Sequence, residues 1–220
     1  MEIKVNTGIL SQNDRKAAEN REIFDRSGLL VINIMGSPGA GKTAILEKTI
    51  DLLARQIRLA VIEGDIYTSK DARRIEKYGV PVKQINTGGA CHLDAAMVAK
   101  VLGYFNLPAL DLLIIENVGN LVCPVEFNLG EDIKVAVLSI TEGDDKPLKY
   151  PLLFRESGVV LLNKVDLVEF TDIDMEVLHR DIRLINPECA VFEVSARTGR
   201  GIEEWAGWLT EKIKKSIQGA

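Results

Sequence analysis

"LLVINIMGSPGAGKTAILEKTI" (residues 29–50) runs from an uninterrupted apolar segment through a glycine-rich turn into a stretch whose apolar residues recur at helical spacing. The turn, Gly36-Ser37-Pro38-Gly39-Ala40-Gly41-Lys42-Thr43, fits G-x-x-x-x-G-K-[ST] in the strand-to-helix setting that the pattern requires. Glycines let backbone N–H groups turn inward around phosphate oxygens, and the start of the following helix adds partial positive charge. Lys42 is then placed for the β- and γ-phosphates and Thr43 for Mg²⁺. A phosphate-binding loop is the expectation, and the flanking strand and helix argue against a chance glycine-rich turn.

The same alternation continues outward. Short apolar runs recur at RLAVIEG (58–64), VPVKQIN (80–86), DLLIIENV (111–118), IKVAVLSI (133–140), GVVLLNK (158–164) and AVFEVSA (190–196), most of them separated by helical patterns such as 42–56 and 93–105. Strands buried on both faces with helices between them predict an α/β fold with a doubly wound, mainly parallel sheet of the P-loop NTPase kind. Residues 29–220 read as one nucleotide-binding domain, and residues 1–28 as a partly helical N-terminal extension. The polar stretch 11–25 is expected to be a surface or partner-contacting helix.

Composition narrows the function classes. The 220-residue chain carries a formal charge of −5 and has no Lys/Arg cluster, which argues against nucleic acid as the main partner. Its apolar runs fall short of the roughly 20 residues a helix needs to cross a bilayer. Its first 28 residues are charged and lack the apolar core of a signal peptide, so a cytoplasmic protein is expected. Three cysteines and two histidines are too few and too irregular for a disulfide framework. Reduced thiols are thereby free for metal or redox chemistry.

The base is read further along. In Asn163-Lys164-x-Asp166, a carboxylate accepts two parallel hydrogen bonds, matching the N1–H and N2–H₂ donors of guanine. The Lys164 stem suits the base plane. "VSARTG" (194–199) offers the Ser195-Ala196 backbone to the guanine O6, with Arg197 beside it. GTP and GDP are therefore expected rather than ATP. Glu116 and Gly119, at the end of another strand, are placed for the γ-phosphate, and Asp65 and Asp71 add carboxylates after the second strand. Lys42, Asp65, Asp71 and Glu116 form the expected catalytic set, and Thr43, Asp71 and Glu116 the expected Mg²⁺ set. Helix capping is the alternative for Asp65 and Asp71. No glutamine or arginine is evidently placed on the attacking water, so slow hydrolysis is expected.

Cys91-His92 in "TGGACHLD" (87–94) follows the strand ending near Asn86, and Cys123 follows the strand ending near Val118. Parallel strands deliver their C-terminal ends to one edge, so these residues converge beside the phosphate site. Two sulfurs and an imidazole suit Zn²⁺ or Ni²⁺ rather than Mg²⁺ or Ca²⁺. A helix starting at Leu93 would lower the Cys91 pKa. Three ligands leave a position for water, a bridging group or a symmetry-related chain. Ordinary buried cysteines and a capping histidine are the alternative. Cys189 and His179 are expected to be structural. Cys123 lies four residues after Gly119, so displacement of that loop would be felt at the metal ligand.

In the order GSPGAGKT, EGDIYTSKDARR, GGACH, ENVGNLVCP, NKVD and SAR, the chain resembles the HypB family of hydrogenase nickel-insertion GTPases, in the SIMIBI class. The resemblance implies a GTP-dependent homodimer with a zinc or nickel site on Cys91, His92 and Cys123 at its interface. It also implies nickel delivery to a [NiFe]-hydrogenase large-subunit precursor together with HypA, a small zinc protein. Some members carry an N-terminal cysteine-rich or histidine-rich metal motif; the first cysteine here is Cys91, which places the metal chemistry on the GTPase domain. Three rivals stay open. One is a urease accessory GTPase of the UreG kind, whose Cys-Pro-His motif is here Cys123-Pro124-Val125. The others are a P-loop kinase of a small molecule and a metal-binding module with a vestigial GTPase.

Overall fold

A computed structural model of the chain describes residues 7–66 and 70–219. Each apolar run becomes a strand: β1 (Leu30–Gly36), β2 (Leu59–Asp65), β3 (Val82–Asn86), β4 (Leu112–Glu116), β5 (Ile133–Ser139), β6 (Val159–Asn163) and β7 (Ala190–Val194). Among the described residues they form one seven-stranded sheet, ordered β3-β2-β4-β1-β5-β6-β7, in which every strand pairing is parallel. The chain works outward from β1 on one side, returns through β4, and then builds the other side from β5. That reversal beside the first strand is where open α/β sheets bind their ligands.

The helices are α1 (Thr7–Arg26), α2 (Lys42–Leu53), α3 (Lys70–Glu76), α4 (Ala95–Leu102), α5 (Cys123–Glu126), α6 (Lys146–Lys149), α7 (Pro151–Glu156), α8 (Met175–Ile185) and α9 (Ile202–Gly219). Successive strand residues point to opposite faces, and here both faces are covered. Leu30, Ile32 and Ile34 of β1 pack with Leu46 and Ile50 of α2 and Trp205 and Leu209 of α9. The alternate residues Leu29 and Val31 pack with Phe24 of α1 and Val98 of α4. A third cluster, containing Met35, Val160 and Leu162, is covered by Phe154 of α7 and Leu178 of α8. Burial on both faces explains why the strands read as continuous apolar runs.

α1 keeps an exposed polar face, but its inner row is anchored by asparagines. Asn13 accepts from Ala95 N at 2.9 Å and donates to Asn128 O at 2.8 Å. The buried Asn20 donates to Ala95 O and Leu129 O at 2.9 and 3.0 Å. The Ala95 N–H is one of the donors at the start of α4 that its own ladder leaves over, and Asn13 takes it. At the opposite edge of the sheet, Asp111 accepts from the Arg58 backbone N and Nε at 2.9 Å each, joining the entries to β2 and β4. Among the described residues no helix is long and apolar enough to cross a membrane.

Candidate functional site

A cavity of about 400 Å³ opens at the C-terminal ends of the strands, between the glycine-rich loop and Glu63, Asp65, Asp71, Glu116 and Gly119. The loop is shaped by close approaches that exclude side chains. Gly41 has φ 97°, and a Cβ there would lie 2.2 Å from Asn163 Nδ2, so both conformation and space demand glycine. Lys42 Nζ donates to the carbonyls of Gly36 and Ser37 at 3.3 Å each, poised over the loop. Thr43 Oγ1 donates to Glu116 Oε1 at 2.7 Å, joining the start of α2 to the end of β4.

Glu63 stands opposite Glu116 in the β2–β4 register, and each is only 3% exposed. Burial first, and then the neighbouring Glu116 charge and hydrogen bond, hold the Glu63 carboxyl far above the usual range. Burial also raises Glu116, with the Lys42 charge and the Thr43 hydroxyl opposing it. Glu63 Oε2 and Glu116 Oε2 are buried without hydrogen-bond partners. Unpaired carboxylate oxygens beside a threonine hydroxyl and Asp71 fit a hard divalent cation, which takes oxygen ligands and neutralises the pair. Glu63 was missed at the sequence level. Its one signal is a charge that interrupts an apolar strand near its end, as Glu116 does.

Asp71, in the first turn of α3, meets Arg74 Nη1 at 2.9 Å, and Arg74 Nε reaches Glu47 Oε1 at 3.0 Å. The cavity wall therefore includes an arginine that the sequence did not reveal. Asp65, at the end of β2, lines the same cavity. A Cβ on Gly119 would come within 3.0 Å of the Pro38 Cα, and Asn120 N donates to Gly36 O at 3.0 Å, so the β4 loop lies directly on the phosphate loop.

On the base side, Asn163 Nδ2 donates to Ala40 O at 2.7 Å and its oxygen accepts from Ala196 N at 3.2 Å. Asn163 thus joins three loops. Lys164, in the left-handed region at φ 66°, lays its side chain over the loop and donates to Gly39 O at 2.7 Å. Asp166 accepts from Ser195 Oγ at 2.6 Å, and Arg197 lies 3.9 Å away. The base-side loops meet the phosphate loop at Gly39 and Ala40.

Cys91, His92 and Cys123 converge as well. Their donor atoms lie within 4.8 Å of one another, and Cys91 Sγ is 3.6 Å from His92 Nδ1. Tetrahedral zinc, with Zn–S near 2.3 Å and Zn–N near 2.0–2.1 Å, needs a sulfur–nitrogen edge of about 3.6 Å, so the pair has a ligating separation. Phe127 packs on His92 with ring centroids 3.8 Å apart and the planes tilted by 30°. Burial lowers the His92 pKa, favouring the neutral form that binds metals.

One expectation is corrected here. α4 starts at Ala95, not Leu93, because Asp94 takes the cap by accepting from Met97 N at 2.7 Å. Cys91 therefore lies outside its first turn. The cysteine that begins a helix is Cys123, yet its hydrogen bond with Cys91, followed by burial, raises its pKa. Burial pushes the Cys189 thiol up to about 11, and His179 pairs with Glu193 at 2.9 Å.

The model of the CobW/HypB/UreG nucleotide-binding domain matches residues 30–193. The hydrogenase maturation factor HypB of Azotobacter vinelandii is 52% identical over 94% of this chain and 68% of its own length. This chain belongs to the HypB family. Among solved structures, HypB of Archaeoglobus fulgidus superimposes with a TM-score of 0.87 at 41% identity, covering 92% of this chain and 99% of that one. HypB of Helicobacter pylori in complex with nickel gives 0.88 at 40% identity, covering 94% and 97%. HypB membership makes this a P-loop nucleotide-binding domain of a hydrogenase maturation factor.

Proposed function

We propose that this protein is a GTP-hydrolysing metallochaperone that handles nickel for [NiFe]-hydrogenase maturation in the cytoplasm. The observation that carries the reading is the short path between its two sites. Glu116 bonds Thr43, Gly119 lies on Pro38, Asn120 bonds Gly36, and Cys123 closes the metal cluster within the same loop. Guanine is held through Asp166, with Asn163, Lys164, Ser195, Ala196 and Arg197 shaping its pocket. Thr43, Glu116 and Asp71 attend Mg²⁺, which neutralises phosphate charge when bound. Lys42 and the backbone of Gly36–Thr43 hold the phosphates, and Asp65 and Asp71 are the candidates for ordering water.

Nickel, with Zn²⁺ as the competing ion, is cargo on Cys91, His92 and Cys123. On this reading the protein forms a GTP-dependent homodimer whose facing surfaces share this ion, with a HypA-like zinc protein and the hydrogenase large-subunit precursor as partners. Hydrolysis is slow until a partner completes the site.

The test is to measure Ni²⁺ and Zn²⁺ affinity, and mass in solution, with GDP and with a non-hydrolysable GTP analogue. The reading expects a dimer with the analogue and a different ion affinity in the two states. Identical values would overturn it.

A further inference from the structure

The chain path from Gly119 to Cys123 reaches one metal donor. The other two, Cys91 and His92, arrive on a separate loop after β3 and need a separate link to the nucleotide. Asn117 is placed to provide it. The residue is 1% exposed, and its side-chain oxygen accepts from Val118 N at 2.9 Å and Leu93 N at 3.0 Å. Val118 directly precedes Gly119, and Leu93 directly follows His92. One carboxamide oxygen therefore holds both loops.

The carboxamide is itself fixed from behind. Its nitrogen donates to Asn33 Oδ1 at 3.2 Å, and Asn33, buried in β1, donates to Glu131 Oε1 at 3.2 Å. Residue 64, at the end of β2, is a glycine whose Cβ would meet the Leu93 side chain at 2.8 Å, so Leu93 is packed with no slack on that side. Breaking either bond to Asn117 strands a buried N–H. Moving one loop without the other therefore breaks a buried hydrogen bond.

We propose that Asn117 is the positioning residue through which the phosphate-sensing loop sets the Cys91-His92 pair. Displacement of residues 116–119 on phosphate loss carries the Leu93 amide, and His92 with it, while the backbone carries Cys123. Both halves of the donor set then respond to one event. This rests on the metallochaperone reading above.

The test compares Zn²⁺ affinity with GDP and with a non-hydrolysable GTP analogue, each saturating, in the wild type and in Asn117→Ala. Coupled sites ordinarily differ by about 5- to 150-fold, and that range is expected for the wild type. In the variant the ratio should fall to within about twofold of unity, a loss of coupling free energy between the sites. A wild-type ratio of one overturns the metallochaperone reading and this inference together. A coupled wild type whose ratio survives in Asn117→Ala overturns this inference alone.

Should the variant fail to fold, amide NMR of the metal-free wild type decides. Exchanging GDP for the analogue should shift the Leu93 resonance along with that of Gly119. A Leu93 amide that stays fixed while Gly119 moves overturns the inference.

Discussion

Asn163 donates to the carbonyl of Ala40 at 2.7 Å while its oxygen takes the Ala196 amide at 3.2 Å. The first residue of Asn-Lys-x-Asp is thereby committed to holding loops together. Asp166, turned toward Ser195 and Arg197, is left for the base.

Asp166→Asn should therefore change which nucleotide is preferred without unseating the phosphate loop. A carboxylate facing the two guanine donors contributes charged hydrogen bonds worth about 1.5–3 kcal/mol each. GTP affinity should fall about 10- to 150-fold, and xanthosine triphosphate, with an acceptor where guanine has a donor, should gain. Competition binding with the two nucleotides measures it; unaltered GTP affinity refutes the assignment.

At the metal cluster, Cys91→Ala and Cys123→Ala should each abolish tight Ni²⁺ and Zn²⁺ binding while leaving nucleotide binding intact, because either change leaves two donors. Equilibrium dialysis is the check. Full metal stoichiometry in either variant would remove the site as described.

Glu63→Gln removes one of two buried carboxyls that face each other across β2 and β4. The metal-free protein should become more stable at neutral pH, since folding no longer has to protonate this buried carboxyl, and more Mg²⁺ should be needed for tight nucleotide binding. Thermal unfolding without Mg²⁺ and Mg²⁺ titration of a fluorescent GDP analogue give the two readings. If the Mg²⁺ requirement does not move, Glu63 has no part in the cation site.

Acid sensitivity should come in part from Asp111. Its hydrogen bonds with the Arg58 side chain, followed by backbone bonding and charge, hold its pKa below the ordinary 3.8. A depressed carboxylate contributes stability that is present above its unfolded pKa and lost as pH falls through the lower folded value. Denaturant unfolding at successive pH values should show this loss at the acid end, and Asp111→Asn should flatten that part of the profile. A variant with the wild-type acid profile would contradict it.

Much of this was legible in the residues because the fold presents it twice. The five inner strands are largely buried on both faces and appear as nearly unbroken apolar runs, while the edge strands β3 and β7 are half-buried. The parallel sheet sends every strand end to one edge, so Cys91, His92 and Cys123 could be brought together from their positions after β3 and β4. What stayed hidden has a physical reason in each case. Asn13 and Asn20 read as polar surface because their burial is satisfied by distant backbone groups. Glu63 looks like one more acid in an acidic segment until the β2–β4 register sets it against Glu116. Phe127 and Arg74 owe their roles to neighbours far along the chain. The start of α4 was misplaced because an aspartate cap outweighed the apolar periodicity that begins at Leu93.

The set of two thiols and one imidazole has a chemical consequence of its own. By donor strength alone such a set follows the general first-row ranking, in which copper exceeds both nickel and zinc, so raw affinity is a poor selector. Shape discriminates better: a planar arrangement suits nickel and a tetrahedral one suits zinc. On the metallochaperone reading, whatever supplies the remaining donor, water or a second chain, fixes that shape and with it the choice among ions.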